Sequence, residues 1–168
     1  MKSLVIYESM YGNTKEIGIA IGEGASSAGE VDVFEVSEAP KEIPSDVDFV
    51  FVGGPTHAFG MTRQSTRDDA PKYAEGPYIS QDYGMREWLS DYSSEGPTTW
   101  ATFDTKIEKP KLPGAASEKA KKRLRKNRAN TVIAAETFYV TGSAGPLASD
   151  ERERATEWAR SLVGGSSE

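Results

Sequence analysis

Short apolar runs alternate with helix-like segments along most of the chain, and this alternation constrains the fold more than any other feature of the sequence. Parallel strands need crossover connections, which are usually helical, whereas antiparallel strands can be joined by tight turns. The sequence therefore predicts an α/β fold: a doubly wound five-stranded parallel sheet, order 2-1-3-4-5, with helices on both faces. The predicted strands lie at residues 3–7, 31–36, 47–54, 98–103 and 130–140.

Helical periodicity marks residues 13–28, 85–92, 115–128 and about 150–163. Asn13 followed by Glu16 has the spacing of a capping box and predicts that the first helix begins there. A length of 168 residues suits one domain, which we predict over residues 1–163. Within it, residues 61–84 are expected to be irregular, and residues 164–168 are expected to form a flexible tail.

The composition excludes several classes of site. The chain contains no cysteine and one histidine, which rules out disulfides, thiolate nucleophiles, iron–sulfur clusters and multi-histidine metal sites. No catalytic residue and no metal ligand is predicted. The formal net charge of −6 disfavours nucleic acid as a partner. Apolar runs are shorter than the about 7–15 residues of a signal peptide or the about 20 of a membrane span, so no membrane association is predicted and a cytoplasmic location is expected.

Doubly wound sheets bind ligands beyond the carboxyl ends of their strands, at the point where the winding reverses. The first strand ends there in SMYGNT, residues 9–14, which supplies three hydroxyl groups, an amide and a glycine directly before a helix. The free N–H groups and positive dipole end of a helix N-terminus favour an anion such as a phosphate monoester. The alternative is an ordinary strand-to-helix turn, which favours the same residue types.

The third strand ends in GGPTHAFGMT, residues 53–62, and the fourth in TFDTK, residues 102–106. Glycines allow close backbone approach to a flat ligand, and His57 and Phe59 offer planar faces for stacking. The alternative is an exposed loop with a solvated histidine. Other phosphate-binding patterns are absent, because the sequence has no P-loop motif and no G-x-G-x-x-G after the first strand.

Together, the three strand ends resemble the flavodoxin-like family, whose cofactor is FMN. SMYGNT resembles that family's phosphate loop, [ST]-x-[ST]-G-x-T: Ser9, Gly12 and Thr14 match it, and Tyr11 departs from it by replacing one small hydroxyl residue. GGPTHAFG resembles the loop that contacts the isoalloxazine, G-[SG]-P-[TV]-[YH], and TFDTK falls where the third loop is expected. The resemblance covers nearly the whole chain except residues 63–83.

The resemblance implies that the first loop holds the FMN phosphate and that the other two flank the isoalloxazine. It also implies an electron carrier that shuttles between redox partner proteins, as a monomer or weak dimer. An FMN-dependent NAD(P)H:quinone-type reductase and a flavin-free adaptor of the same fold are the alternatives. The implied cofactor-binding residues are Ser9, Met10, Tyr11, Gly12, Asn13, Thr14, Pro55, Thr56, His57, Ala58, Phe59, Gly60, Thr102, Phe103, Asp104 and Thr105.

Two further features lie outside these loops. Residues 117–128 concentrate basic side chains on one predicted helix of an acidic protein. We expect a solvated outer face there, and docking of an acidic redox partner or of a nucleic acid is the alternative. Tyr73, Tyr78 and Tyr83 lie in the irregular segment, where they form either a lid over the flavin, a partner surface or an ordinary loop.

Overall fold

A computed structural model describes residues 1–165 of the chain. Five parallel strands form its central sheet: β1 (Lys2–Tyr7), β2 (Glu30–Glu35), β4 (Phe49–His57), β7 (Thr98–Ile107) and β8 (Asn130–Val140). Their order in the sheet is β2-β1-β4-β7-β8. This arrangement confirms the predicted order 2-1-3-4-5.

Three short strands and five α-helices complete the fold within residues 1–165. The short strands are β3 (Glu42–Ile43) and β6 (Ser93–Ser94), which pair with each other, and β5 (Gly60–Met61), which pairs antiparallel with the end of β4. The helices are α1 (Asn13–Ala25), α2 (Gln64–Asp68), α3 (Met85–Asp91), α4 (Ala116–Leu124) and α5 (Glu151–Gly165).

The structure differs from the prediction in segment 61–84 and at the C-terminal end of the last helix. Segment 61–84 is less irregular than expected, because it contains α2 and a 3-10 turn at Ala70–Lys72. Helix α5 continues through Gly164 and Gly165, so the predicted tail begins too early. The rest of that tail, residues 166–168, lies outside the described residues. No helix within residues 1–165 is both long enough and apolar enough to cross a membrane.

Alternating residues of the central strands supply two hydrophobic cores, one on each face of the sheet. In β1, Leu4 and Ile6 face one core, whereas Val5 faces the other. Helices α3 and α4 cover the first core, and α1 and α5 cover the second. Because the middle strands are buried on both sides, the functional surface is confined to the edge where they end.

Helix α1 begins in a different way from the predicted capping box. Gly12 occupies the N-cap position in a left-handed conformation with φ 105°, and Asn13 is already the first helical residue. No side chain among residues 1–165 caps this helix. The first N–H groups of α1 therefore remain available to a ligand, because a helix start has no intrahelical acceptors for them.

A buried polar cluster attaches segment 61–84 to the end of β1. The carboxylate of Glu8, which is 1% exposed, accepts hydrogen bonds from the Thr62 hydroxyl at 2.6 Å and from the Met85 backbone N–H at 2.7 Å. Arg67, also 1% exposed, donates to the Thr62 hydroxyl and forms an ion pair with Glu87 at 2.5 Å. Glu8 thus ends the apolar run of β1 for a structural reason, which the sequence alone did not indicate.

Candidate functional site

A cavity of about 380 Å³ lies where β1, β4 and β7 end. This is the reversal point at which the sequence predicts a ligand, and its size is within the roughly 300–1,000 Å³ of small-molecule sites. Eleven of the sixteen predicted site residues line the cavity: Ser9, Met10, Tyr11, Asn13, Thr14, Pro55, Thr56, His57, Ala58, Phe59 and Thr105.

The first loop is held rigidly beside the cavity. The Ser9 hydroxyl accepts a hydrogen bond from the Gly12 N–H at 3.1 Å, which closes the turn before α1. The Thr14 hydroxyl lies 2.6 Å from that of Thr105, which joins the loop to the end of β7. An anion placed here would meet hydroxyl groups and the uncapped start of α1 at once.

Tyr11 departs from the family's phosphate loop because it has another role. Its hydroxyl donates to the Ala70 carbonyl at 3.0 Å, and its ring meets Tyr78 edge-on at a centroid distance of 6.0 Å. Backbone hydrogen bonds from Ile79 to Met10 and from Ser80 to Ser9 strengthen the same junction. Segment 61–84 therefore supports the first loop from outside.

The second loop is a tight β4–β5 hairpin. Ala58 and Phe59 at its tip have φ values of 46° and 70°, left-handed conformations that are uncommon for residues with a side chain. Phe59 is 54% exposed at the edge of the cavity, although it is apolar. Burial lowers the pKa of His57, and the nearby charge of Arg67 lowers it further. His57 therefore presents a neutral ring to the site at pH 7.

Strand β7 ends four residues later than predicted, at Ile107 rather than at Phe103. Strand β7 continues to Ile107, so Thr102, Phe103 and Asp104 remain within the sheet, fully buried, and do not line the cavity. Instead, Thr105, Lys106 and Ile107 face it. The physical reason is that β7 stays paired with β8 along its whole length, up to Ile107 and Val140.

Asp104 has a supporting role beneath the site. Its carboxylate accepts hydrogen bonds from Thr56 at 2.6 Å and from Thr137 at 2.8 Å, and Thr56 in turn accepts one from the Ala116 N–H at the start of α4. Burial raises the pKa of Asp104, and the surrounding hydrogen bonds oppose this shift. The carboxylate thus links the ends of β4, β7 and β8 to α4.

The remaining predicted residues do not line the cavity, and several lining residues were not predicted. Gly12 shapes the turn before α1, and Gly60 lies in a neighbouring groove.

Of the three tyrosines in segment 61–84, only Tyr73 reaches the cavity, as a lid would require. Lys106 donates to the carbonyls of Leu112 and Gly114 and so fixes a further wall. The unpredicted lining residues are Thr66, Asp69, Ala70, Tyr73, Lys106, Ile107, Leu112, Pro113, Val140 and Ser143.

Comparison with known proteins agrees with this geometry. The sequence model of the flavodoxin family matches residues 5–94, which include the first two loops. The chain belongs to the flavodoxin family. This membership supports a flavin-binding redox protein. A search among curated proteins finds no match to the sequence.

Solved flavodoxin structures share the fold over the full length. Oxidised flavodoxin 1 from Bacillus cereus aligns with a TM-score of 0.67 at 16% identity, covering 98% of both chains. A flavodoxin from the domain Archaea aligns with a TM-score of 0.62 at 15% identity, again covering 98% of both. The flavodiiron protein from Giardia intestinalis aligns with a TM-score of 0.60 at 16% identity over 97% of this chain and 35% of its own. Because the sequence identities are only 15–16%, these structural similarities support the fold alone.

Proposed function

We propose that the protein binds FMN in this cavity and carries electrons between partner proteins. The observation that supports the proposal most is that the uncapped N-terminus of α1 lies beside a cavity large enough for a cofactor. The first turn of α1 and the hydroxyls of Ser9 and Thr14 lie beside the cavity at the reversal point of the sheet. Neutral donors at a helix start are suited to a phosphate monoester.

The residues present fit FMN on two counts. The first loop offers N–H and hydroxyl donors to the phosphate without a basic side chain of its own. The hairpin at residues 57–60 and the wall formed by Leu112 and Pro113 offer apolar faces to a flat ring. The bound flavin would supply the redox chemistry, whereas the protein orients it and sets its electrostatic environment.

The proposal is tested first by the visible spectrum of the purified protein, with and without added FMN. We expect flavin absorbance, or saturable uptake of FMN with quenched flavin fluorescence. A protein that is colourless and takes up no FMN would contradict the proposal and support a flavin-free adaptor.

A second measurement separates a carrier from a reductase. The FMN-loaded protein is mixed with NADPH in a stopped-flow instrument, and flavin absorbance is followed. A carrier is expected to be reduced slowly or not at all by NADPH, but rapidly by a reduced protein donor. Rapid reduction by NADPH would assign the protein to the reductases instead.

A further inference from the structure

A second concave surface lies beside the candidate flavin cavity. This groove, of about 470 Å³, shares the hairpin residues His57, Ala58 and Phe59 with the cavity. Its other walls come from α4, from the start of α3 and from the chain after β5. No acidic residue among the described ones lines it. Six cations do: Arg63, Arg86, Lys119, Lys122, Arg123 and Lys126.

None of these six cations forms an ion pair with a carboxylate within residues 1–165. Their concentration is unusual for a chain whose net charge is −6. Like charges that share a groove repel one another, and each unpaired charge that is partly buried loses hydration. An anionic partner that binds in the groove would neutralise these charges.

Two of the cations are fixed by neighbouring groups rather than free in solvent. Arg86 donates to the carbonyls of Thr62 at 3.1 Å and Met61 at 2.9 Å, and Arg123 donates to the Ser90 hydroxyl at 2.7 Å. Burial and the charge of Arg63 lower the pKa of Arg86, and the nearby charges of Glu87 and Glu8 oppose this shift. Such fixed cations lose less conformational entropy when a partner binds.

We propose that this basic groove docks a redox partner whose contact surface is acidic, and that Phe59 is the apolar centre of the contact. The inference rests on the proposed electron-carrier function and specifies the chemistry of the partner. An exposed aromatic residue rimmed by charged groups is typical of protein interfaces. A partner seated here would also cover the edge of the cavity, because the groove and the cavity share the hairpin.

Several observations favour an acidic protein over a nucleotide or a nucleic acid. Four of the cations follow α4 and the turn after it as a strip from Lys119 to Lys126. Such a strip of separated charges suits the separated carboxylates of a protein surface better than one compact phosphate group. The N–H of Ala116 at the start of α4, where a phosphate group would be favoured, already donates to Thr56.

The test uses the full chain, with and without FMN, and a fluorescently labelled plant-type [2Fe–2S] ferredoxin as an acidic probe. Binding is followed by anisotropy at about 20 and about 300 mM salt, where screening differs strongly. The groove variant is Lys122→Glu with Lys126→Glu. The matched control is Lys121→Glu with Arg128→Glu, which makes the same change of charge on residues that do not line the groove. FMN affinity is measured for every variant, so failure of flavin binding is distinguished from failure of docking.

We expect saturable ferredoxin binding that is lost at high salt, is weakened about tenfold or more by the groove variant, and changes less than about threefold in the control. A basic cytochrome c should not lose affinity in the groove variant. No ferredoxin binding, or equal losses in both variants, would overturn the proposal. Tight binding of pyrophosphate that the groove variant abolishes, with ferredoxin unaffected, would overturn it in favour of a nucleotide site.

Discussion

Glu8→Gln tests whether the buried carboxyl at the end of β1 titrates where the structure indicates. Glu8 joins the central sheet to segment 61–84 through Thr62 and Met85. Glutamine has nearly the same shape and keeps an oxygen for the Met85 N–H, but it cannot ionise. The substitution therefore removes the titration of this group while preserving most of its packing.

The size of the effect follows from the pKa of Glu8 in the folded and unfolded chain. Burial raises the pKa of Glu8 from 4.5 to about 7, although its hydrogen bonds and the charge of Arg67 oppose the shift. The folded state therefore holds this proton more tightly than the unfolded state does. Its contribution to stability is fully present below pH 4.5 and is lost as the pH rises through 7. Between about pH 5.5 and about pH 8 the wild type should lose about 2 kcal/mol relative to Glu8→Gln.

The assay is urea unfolding of both proteins, without added FMN, at several values of pH across that interval. The difference between their free energies of unfolding isolates Glu8, because other titrating groups are common to both. A difference that shifts by about 2 kcal/mol in the stated direction supports the account. A difference that is constant with pH would refute it and would mean that Glu8 stays ionised.

Three further predictions concern packing, the first loop and the buried ion pair. Gly53→Ala should lower the melting temperature and cost about 1–3 kcal/mol, because its Cβ would lie 2.4 Å from the buried ring of Phe103. Thr14→Val should weaken FMN binding about tenfold in a fluorescence titration, because a hydroxyl donor is lost. Arg67→Met should lower the free energy of unfolding, measured with urea, by about 1–3 kcal/mol, because it removes the hydrogen bonds of a buried guanidinium to Thr62 and Glu87.

Each of these substitutions has a control in the chain. Gly96→Ala enters open space and should leave the melting temperature unchanged. Thr99→Val, near the start of β7 and away from the cavity, should leave FMN affinity unchanged. Arg63→Met removes an exposed cation that forms no ion pair among the described residues, and it should hardly affect stability. Equal effects in a variant and its control would contradict the corresponding prediction.

The sheet order and the position of the cavity could be predicted because they follow from local patterns. The apolar runs are too short for helices and are separated by crossover segments, so few sheet topologies are possible. In a doubly wound sheet, the point where the winding reverses then identifies which strand ends form the ligand site. The start of the helix after the first strand could also be predicted from the residue types. The residue at its N-cap position could not, because Gly12 and Asn13 are both compatible with an N-cap and tertiary contacts decide between them.

The remainder could not be predicted because it depends on contacts between distant residues. The role of Glu8 requires Thr62 and Met85, which are 54 and 77 residues away in sequence. The end of β7 at Ile107 depends on pairing with β8, so residues 104–107 carried no sign that they continue the strand. The basic side chains after residue 117 could be identified in the sequence. It could not be predicted that they share one groove with Arg63 and Arg86.

The most direct test of the account compares the affinities of the protein for FMN and for riboflavin, which lacks only the phosphate. If the start of α1 and the hydroxyls of Ser9 and Thr14 hold that phosphate, about two net hydrogen bonds to a charged group should favour FMN by roughly 100-fold. Equal dissociation constants for the two flavins would contradict the account. A ratio of about 100, reduced by Thr14→Val, is the result we predict.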